Sequence, residues 1–154
     1  MISLTFKAMD ESGIPVLDRW FDHSTLFSRL EPPTLQWLTY VRSTPGVFAW
    51  MVYDDSETIG HVQVDTEING LGSVALVVNP AVQNKGYGRA ILGALFERPE
   101  LVTIKGLEGY VEQDNLPAQQ CCLAAGFRAT AHVPDKDGFL RYVKLQHLPI
   151  ESPA

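Results

Sequence analysis

The stretch "VVNPAVQNKGYGRAIL", Val77 to Leu92, leaves an apolar strand, turns at Pro80 and sets Gly86 and Gly88 immediately before a helix. A phosphate cradle needs that arrangement. A strand delivers the chain, residues without side-chain obstruction let several N–H groups converge, and the positive end of a helix faces the anion. A plain tight turn uses the same residue types, so the segment alone leaves both readings open. It is not a P-loop, because no Gly-Lys-Ser/Thr follows, and not the dinucleotide fingerprint, because no glycine stands three residues after Gly88. Lys85 and Arg89 add positive charge at its rim.

Outward from this stretch the chain alternates between strand and helix patterns. "GSVALVV", ending at Val78, is apolar throughout and predicts a strand buried on both faces. Before it, "VFAWMVY" and "TIGHVQVD" read as a hairpin joined by the polar turn "DDSE". After it, a helix near Arg89 to Phe96 carries Ile91, Leu92, Leu95 and Phe96 as its core stripe and stops before Pro99. A strand near Leu107 to Val111 then leads into "DNLPAQQCCLAAGF", where Asp114 or Asn115 caps a helix and Gly126 closes it. "GFRAT" and "FLRYVKL" read as the last two strands, with "PDKDG" as the turn between them. At the other end, Ile2 to Ala8 reads as a first strand. Val16 and Trp20 suggest a short helix followed by an irregular segment, and Thr34 caps a second helix with Leu35, Leu38 and Val41 on one face.

Length and composition bound what such a chain does. Its 154 residues suit one domain, here expected over 1–148 with a tail at 149–154, and 45% hydrophobic with 19% charged residues suits a globular protein. No run reaches a membrane span, and the opening "MISLTFKAMDESG" lacks the basic flank and apolar block of a secretion signal. The adjacent Cys121 and Cys122 suit neither an ordinary disulfide nor a zinc site, so we expect no metal and a cytoplasmic setting. A net charge of −6 argues against a nucleic-acid partner and is compatible with a cationic substrate.

Gln83-x-x-Gly86-x-Gly88, preceded by Val78-Asn79-Pro80 and followed by "RAIL", resembles motif A of the GNAT superfamily of acyl-CoA-dependent N-acetyltransferases. Downstream, "NLPAQQCCLAAGF" is similar to that superfamily's second pattern at Asn115, Ala118, Gly126 and Phe127. The two motifs, with the hairpin before them and the closing strands after, extend the resemblance over nearly the whole chain. It implies an α/β fold: a mixed, mostly antiparallel twisted sheet of six to seven strands, flanked by about four helices, with two central strands splayed apart. It also implies acetyl-CoA as acyl donor and, as acceptor, a primary amine on a small molecule that attacks directly. Acetylation of protein N-termini or lysines, and acyl-CoA sensing without turnover, remain alternatives. A monomer or homodimer is expected, without nucleic acid or membrane.

By similarity, the backbones of Leu76, Val77 and Val78 hold the pantetheine arm and the thioester. The amides of Gln83, Asn84, Lys85, Gly86, Tyr87, Gly88 and Arg89 hold the pyrophosphate. Asn115 corresponds to an asparagine that contacts the cofactor, and it is equally suited to capping a helix. An alkyl ammonium must lose a proton before it attacks, so a base is needed, and Glu67 and Glu112 are the candidates, with Asp65 and Glu108 also near in sequence. The superfamily's usual tyrosine acid is replaced by Cys122, which is either a weak acid or a small core residue. On the acceptor side the resemblance points to Trp20, Asp22 and His23, with Trp37 and Tyr40 nearby.

Overall fold

In the computed structural model, residues 1–21 and 33–146 are described. Strands β1 (Leu4–Ala8), β2 (Val47–Asp54), β3 (Glu57–Thr66), β4 (Leu71–Val78), β5 (Gly106–Glu112), β6 (Arg128–Ala129) and β7 (Phe139–Leu145) form one seven-stranded sheet in the order β1-β2-β3-β4-β5-β7-β6. Helices α1 (Gly13–Phe21), α2 (Leu35–Ser43), α3 (Tyr87–Leu95) and α4 (Leu116–Ala124) cover its faces. Every neighbouring pair is antiparallel except β4 and β5, which α3 links by a crossover. This is the mixed sheet that the sequence motifs imply.

Strand β2 shows why the sheet is covered on both sides. Phe48, Trp50 and Val52 point into a core built with Ile91, Leu92 and Leu95 of α3, while Val47, Ala49 and Met51 point into a second core with Leu17 and Trp20 of α1 and Leu38 and Val41 of α2. Full burial of side chains such as Ile91 and Leu95 stabilises by about 1.5–3 kcal/mol each. The helix starts follow the sequence signals: Thr34 Oγ1 accepts from the Trp37 N–H, and Asn115 accepts from the Ala118 N–H.

Three expectations need correction. Leu35 is 66% exposed, because the buried stripe of α2 is confined to Leu38 and Val41. In α1, Leu17 is the core residue beside Trp20, whereas Val16 is only half-buried. Strand β4 is not buried on both faces: Ala75 is exposed and Val74, Leu76 and Val78 are half-buried, although β4 is central in the sheet. The cause lies in its pairing with β5.

Candidate active site

Strands β4 and β5 pair at three positions, Leu71 with Gly106, Gly72 with Leu107 and Ser73 with Glu108, and then part. Beyond Ser73 the β5 side of β4 has no ladder partner. On the other side β4 stays in register with β3 up to Val78 opposite Gly60, and the Asn79 N–H donates to the Ile59 carbonyl at 2.9 Å. Antiparallel pairing alternates, so Asn79, Val77 and Ala75 direct their backbone groups toward β3, while Val78, Leu76 and Val74 direct theirs into the gap. Leu76 and Val78 thus offer N–H and C=O groups along an open edge, with Val77 between them facing the second core.

The turn after β4 is shaped for an anion. Asn79 caps the short 3-10 turn Pro80–Val82, and Asn84 (φ 64°) and Gly86 (φ 86°) adopt left-handed backbone before α3 begins at Tyr87. Among the described residues, no backbone N–H from Gln83 to Arg89 donates to a backbone carbonyl. That run of donors ends at the N-terminus of α3, whose dipole adds to it. Lys85 and Arg89 are exposed at the rim. The Tyr87 hydroxyl instead turns to Asp54, donating to Oδ2 at 2.7 Å; this bond and the carboxylate's charge push its pKa up to about 12.

The two glycines do different things. Gly86 supplies a positive φ, and a Cβ there meets nothing closer than Ile2 at 3.9 Å. Gly88 lies inside α3, and a Cβ there would fall 2.8 Å from the Cys121 Sγ of α4, with Val78 and Leu76 at 3.7 and 3.8 Å. Gly88 therefore serves close packing, with no positive φ: it lets α3 and α4 approach beside the open end of β4.

Helix α4 buries none of its residues completely. Cys121 and Cys122 are half-buried free thiols packed against the α3-side core. Burial, with a smaller contribution from Cys121, pushes the Cys122 thiol up to about 11. Tyr142 of β7 lies close enough for Cys122 to raise its pKa slightly, behind the larger effect of burial, and its hydroxyl donates to Gln119 at 3.4 Å.

On the opposite face, β3 presents His61, Gln63 and Asp65 at alternate positions toward α2. Trp37 Nε1 donates to Gln63 Oε1 at 2.9 Å, Gln63 Nε2 to Asp65 Oδ1 at 2.7 Å, and the Tyr40 hydroxyl to Asp65 Oδ2 at 2.9 Å. The His61 ring meets the edge of Trp37 at 5.6 Å between centroids. Burial pulls its pKa down to about 4, against a smaller opposing influence of the Trp50 backbone. Trp20, buried in the second core, also lines a cleft of about 310 Å3 with Asn79, Pro80 and Ala81. Asp22 and His23 lie outside the described residues.

The carboxylates fall at different places. Glu67 is exposed in the turn between β3 and β4, at the closed end of β4 and seven residues of strand away from Val78 once Leu71 is reached, or about 23 Å of extended chain. Glu112 is half-buried at the end of β5, beside the mouth of the gap. Glu108 is buried and accepts from Arg141 Nε at 2.8 Å and Nη2 at 2.7 Å, so its charge is already paired. Among the described residues, no three His, Cys, Asp or Glu side chains are grouped to hold a metal ion, and no helix is long and apolar enough to cross a membrane. Sequence reasoning missed His61 and the Glu108–Arg141 pair. The period-two polar stripe within "TIGHVQVD" was the available signal for the first; the second joins strands that only the fold brings together.

Comparison with known proteins agrees with this geometry. The pattern of the Acetyltransferase (GNAT) family matches residues 14–127. The Uncharacterized N-acetyltransferase YfmK of Bacillus subtilis (strain 168) is 30% identical over 142 residues, covering 90% of this chain and 94% of that protein. The fold is similar to spermidine N-acetyltransferase from Vibrio cholerae in complex with CoA and spermine, with a TM-score of 0.77 at 18% identity over 93% of this chain and 95% of that one. It is also similar to aminoglycoside acetyltransferase AAC(6')-Ib in complex with coenzyme A and kanamycin, with a TM-score of 0.73 at 20% identity over 94% and 95% of the two chains. A splayed β4–β5 pair, a glycine turn with free amides and a family match spanning both make this chain a member of the GNAT family of acetyltransferases.

Proposed function

We propose that this protein transfers the acetyl group of acetyl-CoA to a primary amine of a small molecule, by direct attack of the amine on the thioester. The carrying observation is two sets of open backbone groups at one end of the sheet: those of Val74, Leu76 and Val78 along the edge where β5 leaves β4, and the amides from Gln83 to Arg89 leading into α3. The pantetheine arm lies along Leu76 and Val78, and the pyrophosphate lies on the amides from Gln83 to Arg89. Asn115 caps α4 at the same end of the sheet, which supports a contact between its side chain and the arm. The acceptor enters on the α1–α2 face, past Trp20 and Trp37. Both similar enzymes named above were solved with CoA and a small polyamine or aminoglycoside, which supports a small cationic acceptor. The free Cys121 and Cys122 thiols suit a reducing cytoplasm.

Thiol release from acetyl-CoA, measured with spermidine, kanamycin and a lysine-containing peptide, tests this reading. Release with a small amine and little with the peptide is expected; the reverse preference would point to a protein acetyltransferase. A second reading, acyl-CoA binding without turnover, is favoured by Cys122 standing where the family resemblance implies a tyrosine acid. CoA binding by calorimetry with no thiol release would establish that one instead.

A further inference from the structure

His61 is a polar residue for which the fold itself gives no reason. It is 7% exposed, and its Nδ1 is buried with no hydrogen-bond partner among the described residues. A buried acceptor left without a donor costs about 1–3 kcal/mol, and an apolar residue of similar shape would avoid that cost. The adjacent residues of β3 that face the α3 side, Ile59, Val62 and Val64, are fully buried and apolar. The cost therefore calls for a functional reason.

Position suggests that reason. His61 stands opposite Val77, between the levels of Leu76 and Val78, whose backbone groups open into the gap. It is thus one strand spacing, about 5 Å, from the strand that receives the thioester. It lies on the face occupied by α1 and α2, not on the α3 face, with the Trp37 indole edge-on to its ring. Nδ1 is the buried ring nitrogen without a partner, and in the neutral tautomer protonated at Nε2 it presents a lone pair.

We propose that His61 Nδ1 accepts a hydrogen bond from an N–H of the acceptor amine, or from one water between them, as the amine attacks the thioester held at Leu76 and Val78. This rests on the acetyl-transfer reading above. The amine reaches Nδ1 with a shift of the Trp37 indole, which one side-chain hydrogen bond to Gln63 tethers. In the step, the nitrogen of the free amine bonds to the carbonyl carbon and the C–S bond breaks. One N–H proton passes to the departing CoA thiolate, and His61 gains no net proton. A ring that burial keeps neutral is suited to accepting a hydrogen bond in this way and not to storing a proton.

The test compares His61→Phe with His61→Asn, whose Oδ1 stands close to where Nδ1 was. Kinetics use whichever of spermidine, kanamycin or the lysine peptide the wild-type protein acetylates fastest, beside CoA calorimetry and Tm. The expected result is a fall of about tenfold or more in kcat/KM for the amine in His61→Phe, with CoA affinity unchanged and Tm equal or higher. His61→Asn is expected to stay within about threefold of wild type. His61→Leu replaces the Phe variant if that does not fold. Wild-type activity in a folded Phe or Leu variant would overturn the proposal, and so would equal losses in the apolar and Asn variants, which would mark a packing role. A wild-type protein that binds CoA but acetylates no probe would instead overturn the acetyl-transfer reading, and this proposal with it.

Discussion

At residue 61 the polar stripe of β3 meets the apolar core formed with α1 and α2, and the imidazole is held neutral by burial. That has a consequence for folding that does not depend on catalysis. In the unfolded chain the ring takes up a proton below pH 6.5, but in the folded chain only below about 4. Between those values the unfolded state binds more protons, so stability is at its full value above pH 6.5 and declines as pH falls toward 4. At 1.36 kcal/mol per pKa unit the decline approaches about 3 kcal/mol. The carboxylates of Asp10, Asp54 and Glu100, which hydrogen bonds or nearby cations hold below their ordinary range, lose their contribution only at the acidic end of this window. Denaturant titrations of wild type and His61→Phe between pH 7 and 4.5 should therefore show a steep loss for the first and a much flatter profile for the second. Parallel profiles would mean that His61 is not buried neutral.

Helices α3 and α4 begin at the same end of the sheet, because the parallel β4 and β5 both point there and each helix follows its strand directly. Their approach depends on Gly88. Gly88→Ala would drive its methyl group into the Cys121 Sγ and push the helices apart, at a cost of about 1–3 kcal/mol. Removing the sulfur in Gly88→Ala/Cys121→Ala should restore most of that stability, so the two substitutions should couple by about 1 kcal/mol or more in a double-mutant cycle read by urea unfolding. Additive effects would show that the contact is not what makes glycine necessary there. This pair also shows where sequence reading stopped. The order of strands and helices, the Thr34 and Asn115 caps and the stop before Pro99 were legible, because each is a local property of the backbone, whereas the buried stripes of α1 and α2 settled on Leu17, Leu38 and Val41 only through packing on the sheet. The splay of β4 was legible only through family resemblance, and the apolar run "GSVALVV" on its own argued for burial that Ala75 does not have. Gly88 facing Cys121 and Glu108 facing Arg141 join residues far apart in the chain, and no local pattern records them.

For the molecule as a whole, the net charge of −6 sets up a field that the acetyl-CoA end must work against and that a cationic acceptor can use. CoA is itself an anion, so in the proposed reading its binding would rest on short-range features: the N–H run from Gln83 to Arg89, the N-terminus of α3 and the cations Lys85 and Arg89. On the opposite face, Asp65 accepts from two neutral groups, Tyr40 and Gln63, so neither offsets a carboxylate on the face where the acceptor is proposed to enter. Screening reaches about 8 Å at physiological ionic strength and shortens as salt is added. The acceptor KM should therefore rise several-fold between about 0.05 and 0.5 M sodium chloride, while kcat changes little, because the chemical step depends on contacts shorter than the screening length. Asp65→Asn should raise KM at low salt and weaken its salt dependence while leaving CoA affinity as it was. An acceptor KM that does not move with salt, in the wild-type protein and with the best amine found, would mean that the acceptor is recognised as a neutral molecule and that the acidic surface does not recruit it.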